Sequence, residues 1–383
     1  MWTDAGEVEV ELVVDPPEPP PAPEPPEPEV PFVPDEDPQP HSARTTHTSA
    51  PANVATLIAA DASGAPERDR GAPTLTGLPM TPHFLTGAEL TSGELEELLA
   101  RAEELKREPL RSNALQGRSV ALIFQKPSTR TRVSFEVGVH ELGGQPLILR
   151  SDEMQLSRGE ALRDTAIVLG RHVAAVGLRT GSEETLQELA RYSPVPVVNM
   201  LSPDHHPCQA LADLLTLREA YGTLAGLRIA YVGDGNNVAR SLAGRGTLAG
   251  LHVAIASPPG YSLEDAVSLA PGASGIVTFH EDPVEAVKGA HAVYTDVWVS
   301  MGDEQQADER RRALGAYTVD DRLLDHAAEG AFAMHDLPAH AGEEISAEVL
   351  YGPRQRIWDQ AENRRHAQKA LLELLLAGAD GSP

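Results

Sequence analysis

From about residue 76 onward, short apolar runs alternate with amphipathic stretches of helical period, and this alternation limits the folds open to the chain. Apolar runs of strand length stand at 120–124, 146–149, 173–178 and 195–198. Helical patterns separate them at 132–142, 160–171 and 183–192. They are preceded by 90–107, where Leu95, Leu98, Leu99, Ala102 and Leu105 form one stripe. A longer helical stretch, 209–221, leads into a second strand series at 227–232, 252–256, 276–279, 292–296 and 331–334. Strands that are apolar throughout need cover on both faces, which a parallel sheet with helical crossovers supplies. The pattern predicts an α/β protein with two doubly wound parallel-sheet domains joined by helices. The last helix, near 360–376, is expected to pack back on the N-terminal domain.

Charge divides the chain further. Residues 1–40 carry 12 Asp/Glu, 13 Pro and no Lys or Arg. Such a segment cannot bury enough apolar surface to offset chain entropy, so it is expected to be disordered and partly polyproline-like. Residues 41–75, rich in Ala, Thr, Ser, Gly and Pro, extend that expectation as a linker. The segment resembles neither an Arg-rich transit peptide nor a secretory signal, and Met80 is a candidate physiological start. The domain divisions drawn from the pattern are 1–75, 76–208, 209–355 and 356–383.

The net charge of −26 speaks against nucleic acid or an anionic membrane surface as partner. No run of about 18 apolar residues offers a membrane span. A single cysteine, Cys208, allows neither an internal disulfide nor a cysteine metal cage, and it fits a cytoplasmic protein.

Polar clusters stand where the strands end, which is where open α/β sheets place ligands. The densest is Ser128-Thr129-Arg130-Thr131-Arg132, which puts three hydroxyls and two guanidiniums into five residues just after the 120–124 strand. A helix starting there would aim its free N–H groups, its positive dipole end, the hydroxyls and a planar Arg fork at one small anion. The predicted chemistry is a phosphate pocket. Arg179 ends the third strand, where alone it reads equally well as a surface charge. His205-His206-Pro207-Cys208-Gln209 opens the long helix. With no carboxylate partner in place it suits a metal less well than an imidazole and an amide donating to a polarised carbonyl.

Three further clusters follow in the second half. Gly233-Asp234-Gly235-Asn236-Asn237 resembles a dinucleotide fingerprint but lacks its third glycine and any P-loop lysine, so a capped turn and a ligand loop both remain open. Asp296 offers a carboxylate to an ammonium, and Gly302 in Ser300-Met301-Gly302 lets a loop approach a ligand closely. His335-Asp336-Leu337-Pro338 and Arg364 are explained as well by a strand-end turn and a surface helix charge.

Taken in order, the segments Phe124-Gln125-Lys126-Pro127 with Ser128 to Arg132, His206-Pro207-Cys208-Gln209, Asp296 with Ser300-Met301-Gly302, and Ala361-Glu362-Asn363-Arg364 resemble the signatures of ornithine carbamoyltransferases. The resemblance runs from about Phe84 to Leu376. It implies a homotrimer that binds carbamoyl phosphate and then L-ornithine, with no metal and no organic cofactor. By the same resemblance, Ser128, Thr129, Arg130 and Thr131 would grip the phosphate, and Arg179, His206 and Gln209 would address the carbamoyl end. Gln155 would reach a neighbouring subunit's site, Leu337 would line the carbamoyl phosphate site, and Arg364 would close on it from the last helix. Asn237, Asp296, Ser300 and Met301 would seat the amino acid. Attack of a free amine on the carbamoyl carbon needs no covalent nucleophile, only proximity and donors aimed at the developing charge.

The chain departs from that family at two positions. The usual His-Cys-Leu-Pro is His335-Asp336-Leu337-Pro338 here, and Ala341 stands where relatives of this type often carry Arg. An ordinary Asp titrates near about 3.9 and a Cys near about 8.5, so a negative charge is expected where a neutral thiol would sit. Two unit charges about 4 Å apart interact by about 4 kcal/mol at an effective dielectric of about 20. Asp336 is therefore expected to repel phosphate, attract an ammonium and serve as a proton acceptor, acting with Arg130, His206 and Arg179 in catalysis. Two other readings follow from the same substitution: transfer to a different amine, or a non-catalytic ligand-binding trimer.

Overall fold

A computed structural model describes residues 83–263, 272–299 and 304–380. Expectations for 1–75, Met80, Ser300 and Met301 lie outside the described residues. The first half runs α1 (Ser92–Arg107), β1 (Ser119–Phe124), α2 (Thr129–Glu141), β2 (Gln145–Arg150), α3 (Leu162–Leu169), β3 (Ala175–Arg179), α4 (Glu183–Tyr192), β4 (Val197–Leu201) and α5 (Pro207–Tyr221). The second runs β5 (Arg228–Val232), α6 (Asn237–Leu248), β6 (His252–Ala256), β7 (Ile276–His280), α7 (Pro283–Val287), β8 (Ala292–Thr295), α8 (Ala307–Leu314), α9 (Asp321–Leu324), β9 (Phe332–His335), α10 (Ala347–Tyr351) and α11 (Ile357–Asp380).

The strands form two parallel sheets, in the orders β2-β1-β3-β4 and β7-β6-β5-β8-β9. Central strands are buried along nearly their whole length, as in β3 and β5, because helices cover both faces. Apolar clusters account for this cover. One large core unites a face of each sheet with α1, α5, α6 and α11, and smaller ones fill the opposite faces. The strand order reverses beside β1 in the first sheet and beside β5 in the second, and each reversal opens a crevice at the strands' C-terminal ends.

Helix starts sit at different residues from those the periodicity gives, for reasons of capping. α2 begins at Thr129 rather than 132, because Ser128 is extended and its Oγ accepts from the Thr131 N–H over 3.3 Å. α1 begins at Ser92 behind a reciprocal Thr91/Glu94 capping box. α5 is buried all along Pro207–Leu217, so it carries no polar stripe to mark its period, and the division drawn after residue 208 falls inside its first turn.

The last helix packs on α1, α2 and α5 of the first half. Lys369 is fully buried in that seam. Its ammonium donates to the carbonyls of Leu105 (3.2 Å) and Pro109 (3.1 Å) and to Glu141 (2.6 Å), and this anchors the helix segment that carries Arg364.

Candidate active site

A cleft of about 1110 Å³ opens where the strand ends of the two sheets face each other. One wall comes from the first turn of α2. Thr131 is fully buried, and its Oγ1 accepts from Arg364 Nη2 (2.8 Å) and Arg179 Nη1 (3.4 Å). Two guanidiniums from distant elements thus converge on the turn that the sequence marks as a phosphate pocket. Ser128, Thr129 and Arg130 line the same wall. Burial, with Arg364 and Arg130 nearby, lowers Arg179 to about 10, and Arg364 is lowered for the same leading reason. An anion entering this wall would relieve that repulsion. The Nε atoms of Arg179 and Arg364 are buried and have no hydrogen-bond partner.

His206 stands at the N-cap position of α5, almost fully buried, where its backbone N–H donates to Ser241 Oγ over 2.8 Å. Burial and the three guanidiniums hold its imidazole well below the usual range, so the ring is neutral at physiological pH. Its Nδ1 is without a partner. Gln209, one turn into α5, is also fully buried and does not line the cleft itself. Cys208 is inert. Burial pushes its thiol up to about 12, and its sulfur sits 3.4 Å from the Asn199 carbonyl.

The opposite wall is acidic. Asp296 follows β8 and Asp336 follows β9, the neighbouring strand, so parallel pairing brings the two carboxylates together. Burial first, then the charge of Asp336 and a hydrogen bond to it, push Asp296 well above the carboxylate range. A proton therefore stays on Asp296, beside Asp336. Asn236 fixes Asp296 in place. Its Nδ2 donates to Asp296 Oδ2 over 2.7 Å, while its Oδ1 caps α6 by accepting from the Val238 and Ala239 N–H groups. Asn237 also lines the cleft, and its Nδ2 donates to the Ser202 carbonyl of the first half over 2.8 Å.

Asp296, His335 and Asp336 place ligand-type atoms within 4.8 Å of one another. The histidine cannot complete a metal cage. Its Nδ1 accepts from the Leu337 N–H (2.8 Å), which leaves the proton on Nε2, facing Glu344 Oε1 at 3.2 Å. Leu337 takes a φ of 64°, a left-handed bend that brings Asp336 and Leu337 onto the cleft.

Most of the residues singled out from sequence thus line one cleft: Ser128, Thr129, Arg130, Arg179, His206, Asn237, Asp296, Asp336, Leu337 and Arg364. Gln155 does not. It lies exposed in a 3₁₀ turn after β2 and faces none of this chain's cleft. Sequence reasoning missed Asn236, passed over in favour of its neighbour, and Arg310, which pairs with Asp234, donates to the Trp298 carbonyl (2.5 Å) and stacks on Tyr261. It also missed Asp213, whose one signal is a carboxylate inside an apolar helix.

Two parallel α/β domains that meet over a cleft with a guanidinium wall and a carboxylate wall define a two-substrate group-transfer enzyme. Residues 82–219 match the carbamoyl-P binding domain of aspartate/ornithine carbamoyltransferases, and residues 225–375 match their Asp/Orn binding domain. The chain belongs to the aspartate/ornithine carbamoyltransferase family. The ornithine carbamoyltransferase of Acidothermus cellulolyticus is 54% identical over 308 residues, 79% of this chain and 99% of the relative. That of Methanoculleus marisnigri is 53% identical over 307 residues, covering 79% and 99%. The solved ornithine carbamoyltransferase from Pyrococcus furiosus superposes with a TM-score of 0.74 at 44% identity, covering 78% of this chain and 98% of that one.

Proposed function

We propose that this enzyme transfers the carbamoyl group of carbamoyl phosphate to the side-chain amine of L-ornithine, giving L-citrulline and phosphate. The observation that carries the reading is the opposition of Arg179 and Arg364, converging on Thr131, to the Asp296–Asp336 pair across one cleft. A dianionic donor suits the first wall and a cationic acceptor suits the second.

The residues divide the reaction as follows. Ser128, Thr129, Arg130 and Thr131, at the N-terminus of α2, hold the phosphate, and Arg364 closes on it. Arg179 and neutral His206 donate to the carbamoyl oxygen as the amine attacks and charge builds there. Gln209 reads the carbamoyl amide. The C–N bond forms, the C–O bond to phosphate breaks, and phosphate leaves with the electron pair. Asp296, Asn237 and the Ser300-Met301 segment seat ornithine, and Asp336 takes the proton that the attacking nitrogen must lose. An ammonium of ornithine pairs with Asp296 once that carboxyl has released its proton to solvent.

We place the enzyme in arginine metabolism, in the cytoplasm, as a homotrimer in which Gln155 reaches a neighbouring subunit's cleft. The exposure of Gln155, and of apolar Val133, Leu147 and Val168 on the same half, supports the assembly. Among the described residues, no helix is long and apolar enough to cross a membrane. The test of the reaction is purified protein with carbamoyl phosphate and a panel of amines, scored for ureido product and released phosphate. Ornithine is expected to turn over well above every other amine. Preference for another amine, or no turnover at any pH, would reject the assignment.

A further inference from the structure

Asp213 is a carboxylate in the middle of an apolar stretch of α5, Ala210-Leu211-Ala212-Asp213-Leu214-Leu215, and it is fully buried. Its Oδ1 accepts three hydrogen bonds: from Gln209 Nε2 at 2.9 Å, from Gln360 Nε2 at 2.7 Å and from the Tyr294 hydroxyl at 3.2 Å. The three donors come from α5, α11 and β8. Gln360 is itself fixed, because its Oε1 accepts from the His335 N–H over 2.9 Å. One carboxylate oxygen therefore ties Gln209 to the strand end that carries Asp336, and to the helix that carries Arg364 one turn further on.

A carboxylate offers acceptors, so Asp213 is met by the NH₂ end of the Gln209 amide and not by its carbonyl. The carbonyl end is thereby turned away from Asp213. That atom, Gln209 Oε1, is buried with no hydrogen-bond partner. Buried acceptors are paired as a rule, so an unpaired one beside a ligand cleft points to a donor on the ligand. We propose that Asp213 is a positioning residue that fixes the Gln209 amide with its carbonyl oxygen facing the two N–H donors of a carbamoyl group. The inference rests on the carbamoyl transfer proposed above. Burial pushes the Asp213 carboxyl up to about 7. A proton on its free Oδ2 would leave all three bonds to Oδ1 in place, so the orientation holds in either protonation state.

Two phosphonates of equal charge and similar shape read the amide orientation directly. Phosphonoacetamide carries the carbamoyl-like NH₂, whereas 2-oxopropylphosphonate has a methyl group there and no donor. The wild-type protein is expected to bind the amide at least about tenfold more tightly. Asp213→Asn keeps the Oδ1 acceptor and should hold that preference to within about threefold. Asp213→Leu keeps the shape and removes the acceptor, freeing the Gln209 amide. Its preference should collapse to about threefold or less while inorganic phosphate binds nearly as before. Should the Leu variant fail to fold, Asp213→Ala, whose cavity admits water to the same donors, gives the same reading. A preference that survives in the Leu or Ala variant overturns the inference, as does equal loss in the Asn and Leu variants or no preference in the wild type. A wild-type protein that binds neither phosphonate nor carbamoyl phosphate would count against the reaction assignment instead.

Discussion

Arg364 donates through Nη2 to Thr131 Oγ1 over 2.8 Å, so a side chain from the last helix closes on the first turn of α2, 233 positions earlier in the chain. Arg179 reaches the same oxygen from β3. Thr131→Val keeps the shape and removes the shared acceptor, leaving both guanidiniums less well placed. The expected outcome is about a tenfold rise in KM for carbamoyl phosphate, with the KM for ornithine little changed. Thr131→Ser, which keeps the oxygen, should stay within about threefold of wild type. Steady-state kinetics on the two variants checks both statements.

Asn236 does two jobs that one substitution separates. As the cap of α6 its loss should cost about 1 kcal/mol of stability, read from urea unfolding. As the donor to Asp296 Oδ2 its loss removes a bond that lowers Asp296. Asn236→Ala should therefore keep Asp296 protonated to higher pH and raise KM for ornithine several-fold. Equal effects on both substrates' KM values would mean that only the helix cap matters.

Asp213 makes a prediction about stability as well. Its native carboxyl is raised to about 7 against about 3.9 when unfolded. Between those values the native state holds a proton that the unfolded chain has released, so stability falls as pH rises. The contribution is full below about pH 4 and is lost as pH climbs through about 7. Asp213→Asn cannot ionise, so its urea midpoint should decline less than the wild-type midpoint across that window. Parallel curves would show that Asp213 does not titrate there.

The acidic wall has its own pH signature. Burial and Asp336 together raise Asp296, and ornithine binds best once Asp296 has lost its proton. In the wild type, kcat/KM for ornithine should rise with pH through that ionisation. Asp336→Cys replaces a charge with a mostly neutral thiol and leaves burial as the main cause of the shift. The acid limb of the kcat/KM profile should then move to lower pH, while kcat falls because a neutral thiol does not accept the amine's proton. An unchanged limb in the pH–rate profile would contradict the electrostatic account.

Cleft-lining residues were legible in the sequence where they fall in compact motifs at strand ends, as Ser128, Thr129, Arg130 and His206 do, whereas Arg132 of the same run turns outward to Glu136 over 3.2 Å. The parallel α/β class was legible because β3 and β5 are apolar without alternation, the mark of strands covered on both sides. Meetings between distant segments were not. Nothing local tells that Arg364 and Thr131 touch, or that Gln360 and Tyr294 converge on Asp213. Spacing also gave no reason to rank Asn236 above Asn237, since only the tertiary position of Asp296 distinguishes the two amides. The expectation of an added negative charge at Asp336 is sharpened by its neighbour. Asp296 holds a proton against it, so the wall carries less charge than two free carboxylates would.

The most direct test of the account is kcat for ornithine in wild type and in Asp336→Asn, with both substrates saturating, because it isolates the proton transfer assigned to this residue. An amide of the same shape cannot accept the amine's proton. The expected result is a fall of about 100-fold in kcat, with KM for carbamoyl phosphate within about threefold of wild type. A kcat equal to that of wild type would show that Asp336 takes no part in the transfer.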